Sequence, residues 1–430
     1  MIRDFLIVGG GSAYAPGLVA ALLKQTGRHR LRTIRLYDIA ATRLRVVEKL
    51  CRRMAQAADG SLEIRATTDP TEAVDGIDAL LNSSRPGGFE CRLIDETLPL
   101  EFNIPGQETV GPGGFFFALR SVPAALELAG HVERLAPDAV WLNYTNPTNI
   151  VGQALCEQSN LDVIALCDQS DEDMRALADA MGHGAGASYS FQCAGLNHAT
   201  WYSDVQIDGQ PLDDCTVDAQ PPDYFDEEHR RRFSICAQMA RELEGRWPNS
   251  YLPYYVQPRT FVELAQNQGT RTNVILENLE DYYDHFRQQA DRQTPRLQHY
   301  RGSAGFGDMA ADAIAALSSK EPDSMVLNIP NCGINDEFDE DTIVEARVDI
   351  SASGVERKRA PSIPRKFRDL MARLEKYQRR TARAAVTGVD EHMIEALATN
   401  PLVDDTDLAR QMLLRAVERY GERLPQFRDN

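Results

Sequence analysis

The chain has 430 residues, 43% of them hydrophobic, and a formal net charge of −18. That length exceeds one ordinary hydrophobic core and predicts two lobes, while the acidic balance argues against a nucleic-acid partner, which asks for a basic face. No stretch is apolar and long enough to span a bilayer, and the start lacks a signal-peptide pattern, so a cytoplasmic protein with no membrane partner is expected.

In chain order, a first strand over Phe5–Val8 runs into Gly9-Gly10-Gly11-Ser12-Ala13-Tyr14-Ala15-Pro16 and then an apolar helical stretch, Leu18–Leu23. Gly9 and Gly11 allow a tight turn against a pyrophosphate, whose charge rests on the N-terminus of the following helix. The sixth position of this glycine pattern is normally Gly or Ala and is Tyr14 here. A second strand, Ile34–Tyr37, ends at Asp38, the interval at which an acidic residue takes ribose hydroxyls. Further strands are expected at Ala79–Asn82, Ala139–Tyr144 and Val163–Leu166, alternating with helices as in a doubly wound parallel sheet. The glycine-rich tract from Gly106 to Gly114 reads as a loop at the cofactor edge.

After His198 the character changes. Trp201–Ile207 reads as a strand, Asp208–His229 as an acidic loop, Ala310–Leu317 as a helix and Ser324–Ile329 as a strand; the tail beyond Pro364 is helical and basic. The expected class is α/β: residues 1–195 form a Rossmann-type, lactate/malate dehydrogenase-like NAD-binding domain, and residues 196–430 an α+β domain for substrate, metal and oligomerisation. The eight cysteines have no CxxC pair or regular spacing, which suggests neither a disulfide framework nor a zinc ribbon.

Three segments place reactive side chains just after strands, where open α/β sheets hold their ligands. These are Asn143-Tyr144-Thr145-Asn146-Pro147, Ala165-Leu166-Cys167-Asp168 and Gly195-Leu196-Asn197-His198. Cys167 and His198 are too far apart for a local metal motif, yet both could reach one sheet edge; singly, each such residue is more often structural.

Taken together and in order, the glycine loop with Pro16, the GQET and GPGG segments between Ile104 and Gly114, Asn146-Pro147, Cys167, Gly195–His198 and Tyr251-Leu252-Pro253-Tyr254-Tyr255 resemble glycoside hydrolase family 4 across most of the chain. The resemblance implies glycosidases that use NAD and a divalent metal, usually Mn2+: hydride leaves C3 of the sugar, the C2 proton becomes acidic, the glycosidic oxygen departs, and the hydride returns. It makes Cys167 and His198 the metal ligands, Tyr251 the C2 base and Asp168 the acid, with a carboxylate that supports the metal ligands from behind, or one that caps a helix, as the rival reading of Asp168. NAD would lie on Gly9, Gly11, Ser12, Tyr14, Asp38 and Asn82. The sugar would meet Asn146 and Asn197, and Arg92 and Arg271 would clamp a 6-phosphate, which a protein this acidic would otherwise repel. Asp168 points to α-linked substrates, whereas Arg301-Gly302-Ser303-Ala304-Gly305 looks like the β-specific members. A homodimer or homotetramer is expected. The alternatives are a 2-hydroxy-acid dehydrogenase and a non-catalytic NAD-binding regulator.

Overall fold

The computed structural model describes residues 2–58, 60–184, 186–212, 220–243, 245–301 and 307–427. Part of the expected acidic loop, 213–219, and the stretch after Arg301 therefore lie outside the described residues.

Strand β1 (Asp4–Val8) carries Phe5, Leu6, Ile7 and Val8, all buried. Such an unbroken apolar run suits a central strand covered on both faces. It is followed by β2 (Thr33–Tyr37), β3 (Glu63–Thr67), β4 (Ala79–Asn82), β5 (Val140–Asn143) and β6 (Asp162–Ala165), arranged in the order β6-β5-β4-β1-β2-β3 and all parallel. β3 escapes a sequence reading because it is an edge strand, with Glu63 and Arg65 exposed and little apolar signal.

The sheet does not stop at β6. Strands β7 (Tyr189–Leu196), β8 (Ala199–Ile207), β9 (Gln210–Pro211), β10 (Trp247–Pro248), β11 (Asp323–Pro330), β12 (Ile343–Ser351) and β13 (Gly354–Glu356) extend it in the order β10-β8-β7-β12-β11-β6, with β9 on β8 and β13 on β12. These joins are antiparallel, including β11 to β6. The expected division after residue 195 falls inside β7, and the sheet runs across it without interruption.

The first-half helices are α1 (Ala15–Lys24), α2 (Ala41–Ala58), α3 (Pro70–Val74), α4 (Gly88–Thr97), α5 (Gly111–Leu135), α6 (Thr148–Gln158) and α7 (Gln169–Ala180). Then come α8 (Glu227–Ala240), α9 (Pro253–Val256), α10 (Pro258–Gln268), α11 (Arg271–Ala290), α12 (Asp308–Leu317), α13 (Arg368–Thr387), α14 (Asp390–Thr399) and α15 (Thr406–Tyr420). The two-residue period of β1 divides the core between the sheet faces. Phe5 and Ile7 join one cluster with α1, α2, α11 and α12, while Leu6 and Val8 join another with α5, α6 and the three C-terminal helices. Among the described residues no helix is long and apolar enough to cross a membrane.

The glycine tract corrects an expectation. Only its first part is a loop, for Gly111-Pro112-Gly113-Gly114 forms the first turn of the 25-residue helix α5. The cause is a close backbone approach: a Cβ on Gly113 would lie 2.2 Å from the Gln107 carbonyl oxygen, and one on Gly114 would lie 2.3 Å from that of Thr109. The glycines let residues 107–109 fold back onto the helix start.

α4 is anchored from behind by a buried ion pair. Arg120 of α5 donates to Asp95 Oδ2 at 2.7 Å, and Tyr420 of α15 donates to Asp95 Oδ1 at 2.6 Å. Asp95 is fully buried, so removing it strands the Arg120 guanidinium. Asp95→Ala is expected to cost about 3–5 kcal/mol and Tyr420→Phe only about 1 kcal/mol, both read by urea unfolding at neutral pH; equal losses would refute the ranking.

Candidate active site

The first βα turn has the form of a dinucleotide cradle. Gly9 has φ +81°, and a Cβ there would meet the Ser83 carbonyl oxygen at 2.9 Å. Gly11 N–H donates to Asp38 Oδ2 at 2.9 Å, while Asp38 Oδ1 accepts from Ala40 N–H at 2.8 Å. The Ser12 hydroxyl is buried with no hydrogen-bond partner among the described residues, and the first turn of α1 has neither a side-chain cap nor an acidic residue. An orphan hydroxyl beside uncapped helix N–H groups suits a pyrophosphate. Ile39, 85% exposed beside Asp38, offers an apolar flank that the sequence reading passed over.

Two of the expected cofactor residues are engaged within the protein. Asn82 is buried, giving its amide N–H to Asn143 Oδ1 at 3.2 Å and accepting from the Ser84 hydroxyl at 2.8 Å, so its side chain ties strand ends together beneath the cleft. Tyr14 lies with its ring 4.5 Å from the guanidinium carbon of Arg301. The irregular residue of the glycine pattern is thus a platform for a cation.

Cys167 and His198, 31 positions apart, converge with Sγ and Nε2 at 3.5 Å. Cys167 follows β6, and His198 occupies the two-residue turn between β7 and β8, held at φ +62°. Local hydrogen bonds fix the imidazole. Gln107 Oε1 accepts the N–H of Val110 at 2.7 Å and also the Thr109 hydroxyl at 2.8 Å, and Thr109 Oγ1 lies 2.9 Å from His198 Nδ1. With its one proton spent on Gln107, the Thr109 oxygen accepts from Nδ1–H, which leaves the Nε2 lone pair facing Cys167. Burial, reinforced by Arg232, lowers the His198 pKa to about 3, so the ring is neutral at pH 7. Burial, with Glu345 and Asp168 nearby, pushes the Cys167 thiol well up, so a cation is needed to make it a thiolate. A neutral imidazole and a thiol at this separation fit two ligands of one metal; among the described residues no cluster of three or more His, Cys, Asp or Glu side chains assembles.

Tyr251 stacks on His198, with centroids 4.0 Å apart and planes 5° apart. Its mount is Ser250, whose carbonyl accepts from Arg232 Nε at 2.7 Å and whose N–H donates to Asp173 at 3.1 Å. Burial raises the phenol pKa, and Arg232, 4.1 Å over the ring, works against that rise. Arg232 was missed in the sequence because it sits in an ordinary-looking Arg230-Arg231-Arg232 run. Asp168 precedes α7 but makes no capping hydrogen bond, which removes the rival reading of it as a cap. Burial, then Glu172, raises it to about 7. Asn197 spends its amide N–H on the buried Glu345 at 2.9 Å. Asn146 is half-buried at the end of the β5 turn.

The two expected phosphate arginines differ in setting, although their helices meet at Glu96, which accepts from Arg92 Nε and from the Thr272 N–H, each at 2.8 Å. Arg92 is buried, with Nε 2.8 Å from Glu96 and NH1 3.2 Å from Glu108. Arg271 is exposed and lines a cavity of about 1140 Å³ that also meets Gln169, Asp173, Arg232, Ser250 and Tyr300. The groups gathered about Arg92 are Arg85, 2.5 Å from Glu108, and Arg301, 8% exposed between the rings of Tyr14 and Phe89. Burial and repulsion from Arg85 and Arg92 lower the Arg301 pKa to about 10, against the pull of Tyr14 and Glu108. Arg301 opens the segment Arg301–Gly305, but nothing local marks it as the partner of a residue more than 200 positions away.

Burial alone would raise the Glu108 carboxyl, and Arg85, Arg92 and Arg301 overcome it to hold the pKa at about 2. A folded pKa below the unfolded value near 4.3 means that the stabilisation is complete above about pH 4.3 and disappears as pH falls through about 2. Glu108→Gln is expected to cost about 3 kcal/mol at pH 7, the gap to wild type narrowing on acidification from about pH 4 to pH 2; unfolding curves across that range test it, and a gap that widened would refute the assignment.

Comparison with known proteins places the chain in a family. The model of the family 4 glycosyl hydrolases matches residues 5–183, and that of the family 4 glycosyl hydrolase C-terminal domain matches residues 193–403. The chain is 29% identical to a probable 6-phospho-beta-glucosidase of Bacillus subtilis, over 98% of this chain and 97% of that protein. It is 28% identical to 6-phospho-alpha-glucosidase 1 of Lacticaseibacillus paracasei, over 98% of each. Its fold matches the crystal structure of a 6-phospho-alpha-glucosidase from gut microorganisms, in complex with NAD and Mn2+, with a TM-score of 0.90 at 24% identity, covering 98% of this chain and 99% of that one. With matches to both halves of the family architecture, the chain belongs to family 4 of the glycosyl hydrolases.

Proposed function

We propose that the protein hydrolyses the O-glycosidic bond of 6-phosphoglucosides, with NAD and a divalent cation, Mn2+, as cofactors. The observation that carries this reading is the convergence of Cys167, His198 and Tyr251 at the carboxyl edge of the sheet that bears the glycine loop. When bound, NAD supplies hydride removal and return at C3 of the sugar, and the cation supplies Lewis acidity on the sugar oxygens. Cys167 and His198 hold the metal, with Thr109 keeping the imidazole in its ligating form. Tyr251 takes the C2 proton, favoured as phenolate by Arg232. Asp168, near its own pKa at neutral pH, gives a proton to the departing oxygen. Arg301, with Arg92 and Arg85, receives the phosphate; its guanidinium is buried among aromatic rings and, among the described residues, has no hydrogen-bonded carboxylate of its own. A 2-hydroxy-acid dehydrogenase has no use for a thiol 3.5 Å from its imidazole. We also propose a cytoplasmic homodimer or homotetramer; exposed Val256, Val274 and Leu276 on α9 and α11 support a covered flank, and sedimentation velocity reads the state.

The test is release of nitrophenol from p-nitrophenyl α- and β-glucoside 6-phosphates under reducing conditions. Activity is expected to need both NAD and Mn2+ after both are stripped, and activity without either would refute the mechanism. Tyr251→Phe is expected to lower kcat by about 10²–10⁴-fold with NAD binding intact; full activity would remove the base assignment. Arg301→Met is expected to raise KM for the phosphorylated substrate about 10- to 100-fold and to leave any turnover of the unphosphorylated glucoside unchanged.

A further inference from the structure

The large cavity lies beside the reacting centre, lined by Gln169 next to Asp168 and by Ser250 next to Tyr251. Gln169, Glu172, Ala176 and Asp179 of α7 line it, spaced by three, four and three residues, so they form one face of the helix that starts beside Asp168. At 1.5 Å per residue this wall is about 15 Å long. The opposite wall comes from α8 and the segment before it, with Tyr224, His229 and Phe233, and Trp247 at the base. The volume of about 1140 Å³ exceeds the roughly 300–1,000 Å³ typical of a single small-ligand site.

The far end is built around one ring. Tyr224 donates its hydroxyl to Asp179 Oδ2 at 2.8 Å, joining the two walls, and its ring meets Phe225 edge-on at 5.1 Å and 89°. It is nevertheless 68% exposed, a fixed aromatic face open to solvent. Acidic side chains (Glu172, Asp173, Asp179, Asp226, Asp308) at least match the basic ones (Lys24, Arg175, Arg232, Arg271) along the walls, which disfavours an anionic occupant. A flat aromatic face with polar flanks suits the apolar face of a sugar ring and the hydroxyls at its rim.

We propose that this arm is a leaving-group channel for an uncharged glycan of two or more sugar rings, the outer ring lying on Tyr224. The proposal rests on the reading of Asp168 as the acid, because the group that protonates the departing oxygen must have the leaving group on its own side, and α7 runs outward from that point. Preferred substrates are then oligosaccharide phosphates rather than simple aryl or alkyl phosphoglucosides.

Two measurements test it on the full-length protein. Binding of the unphosphorylated disaccharides maltose and cellobiose, followed by calorimetry, needs no catalysis; at least one is expected to bind, about three- to tenfold more weakly in Tyr224→Ala. In kinetics, Tyr224→Ala is expected to lower kcat/KM for a trisaccharide 6-phosphate by about the same factor and to leave that for p-nitrophenyl glucoside 6-phosphate unchanged. Absence of binding by both disaccharides, equal losses on both substrates, or a change in oligomeric state with an unchanged substrate ratio would overturn the channel. Disaccharide binding weakened by Tyr224→Ala in a protein that cleaves no phosphoglucoside would support the channel and refute the proposed reaction.

Discussion

One hydrogen bond, between the Thr109 hydroxyl and His198 Nδ1, is the constraint on which the reacting centre depends. It connects the glycine-rich segment ahead of α5 with the hairpin turn between β7 and β8, elements that share no local sequence. Its direction is set further back, by a Gln107 oxygen that already accepts the Thr109 hydroxyl proton. The glycines at 113 and 114 permit this chain of contacts, since a Cβ at either would collide with the backbone of residues 107–109. What the eye takes for a flexible loop is a rigid mount that selects a tautomer.

The parallel half of the fold was legible because its central strands are unbroken apolar runs closed by polar residues. Asn82 and Asn143, the ends of β4 and β5, even sit opposite one another in the sheet. The antiparallel half was only partly legible. β7 and β12 alternate buried and half-exposed residues less cleanly, and a motif segment, Gly195–His198, touches only the end of β7. Among the site residues, those placed by local geometry were readable: Cys167 at a strand end, His198 in a tight turn, Asp38 after β2. Arg85, Glu108, Arg232 and Arg301 were not, because their partners lie far away in sequence and an arginine meeting a carboxylate through tertiary packing leaves no spacing signature.

The charge distribution resolves a tension in the composition. A chain with a net charge of −18 repels anions at long range, yet Arg85, Arg92 and Arg301 surround Glu108 beside the glycine loop and depress its pKa to about 2. Burial in an aromatic setting confines this positive charge to a small volume, where screening by salt is weak. Behind it, Asp95, Arg120 and Tyr420 fix α4 from the opposite side, so the cluster is backed by a second buried ion pair and is not carried on a loose helix.

The unbroken passage of the sheet from β6 through β11 to β7 and β8 has a kinetic meaning. Cys167 follows one part of this sheet and His198 caps another, and the strands between them, joined from β6 to β11 at Ala165 and Asn328, tie both parts into one sheet and disfavour a hinge between two lobes. Enzymes that enclose substrate by closing such a hinge spend turnover time on whole-domain motion. Here entry and exit fall to side chains and connecting segments around the cavity, and Cys167 and His198 are carried on one sheet.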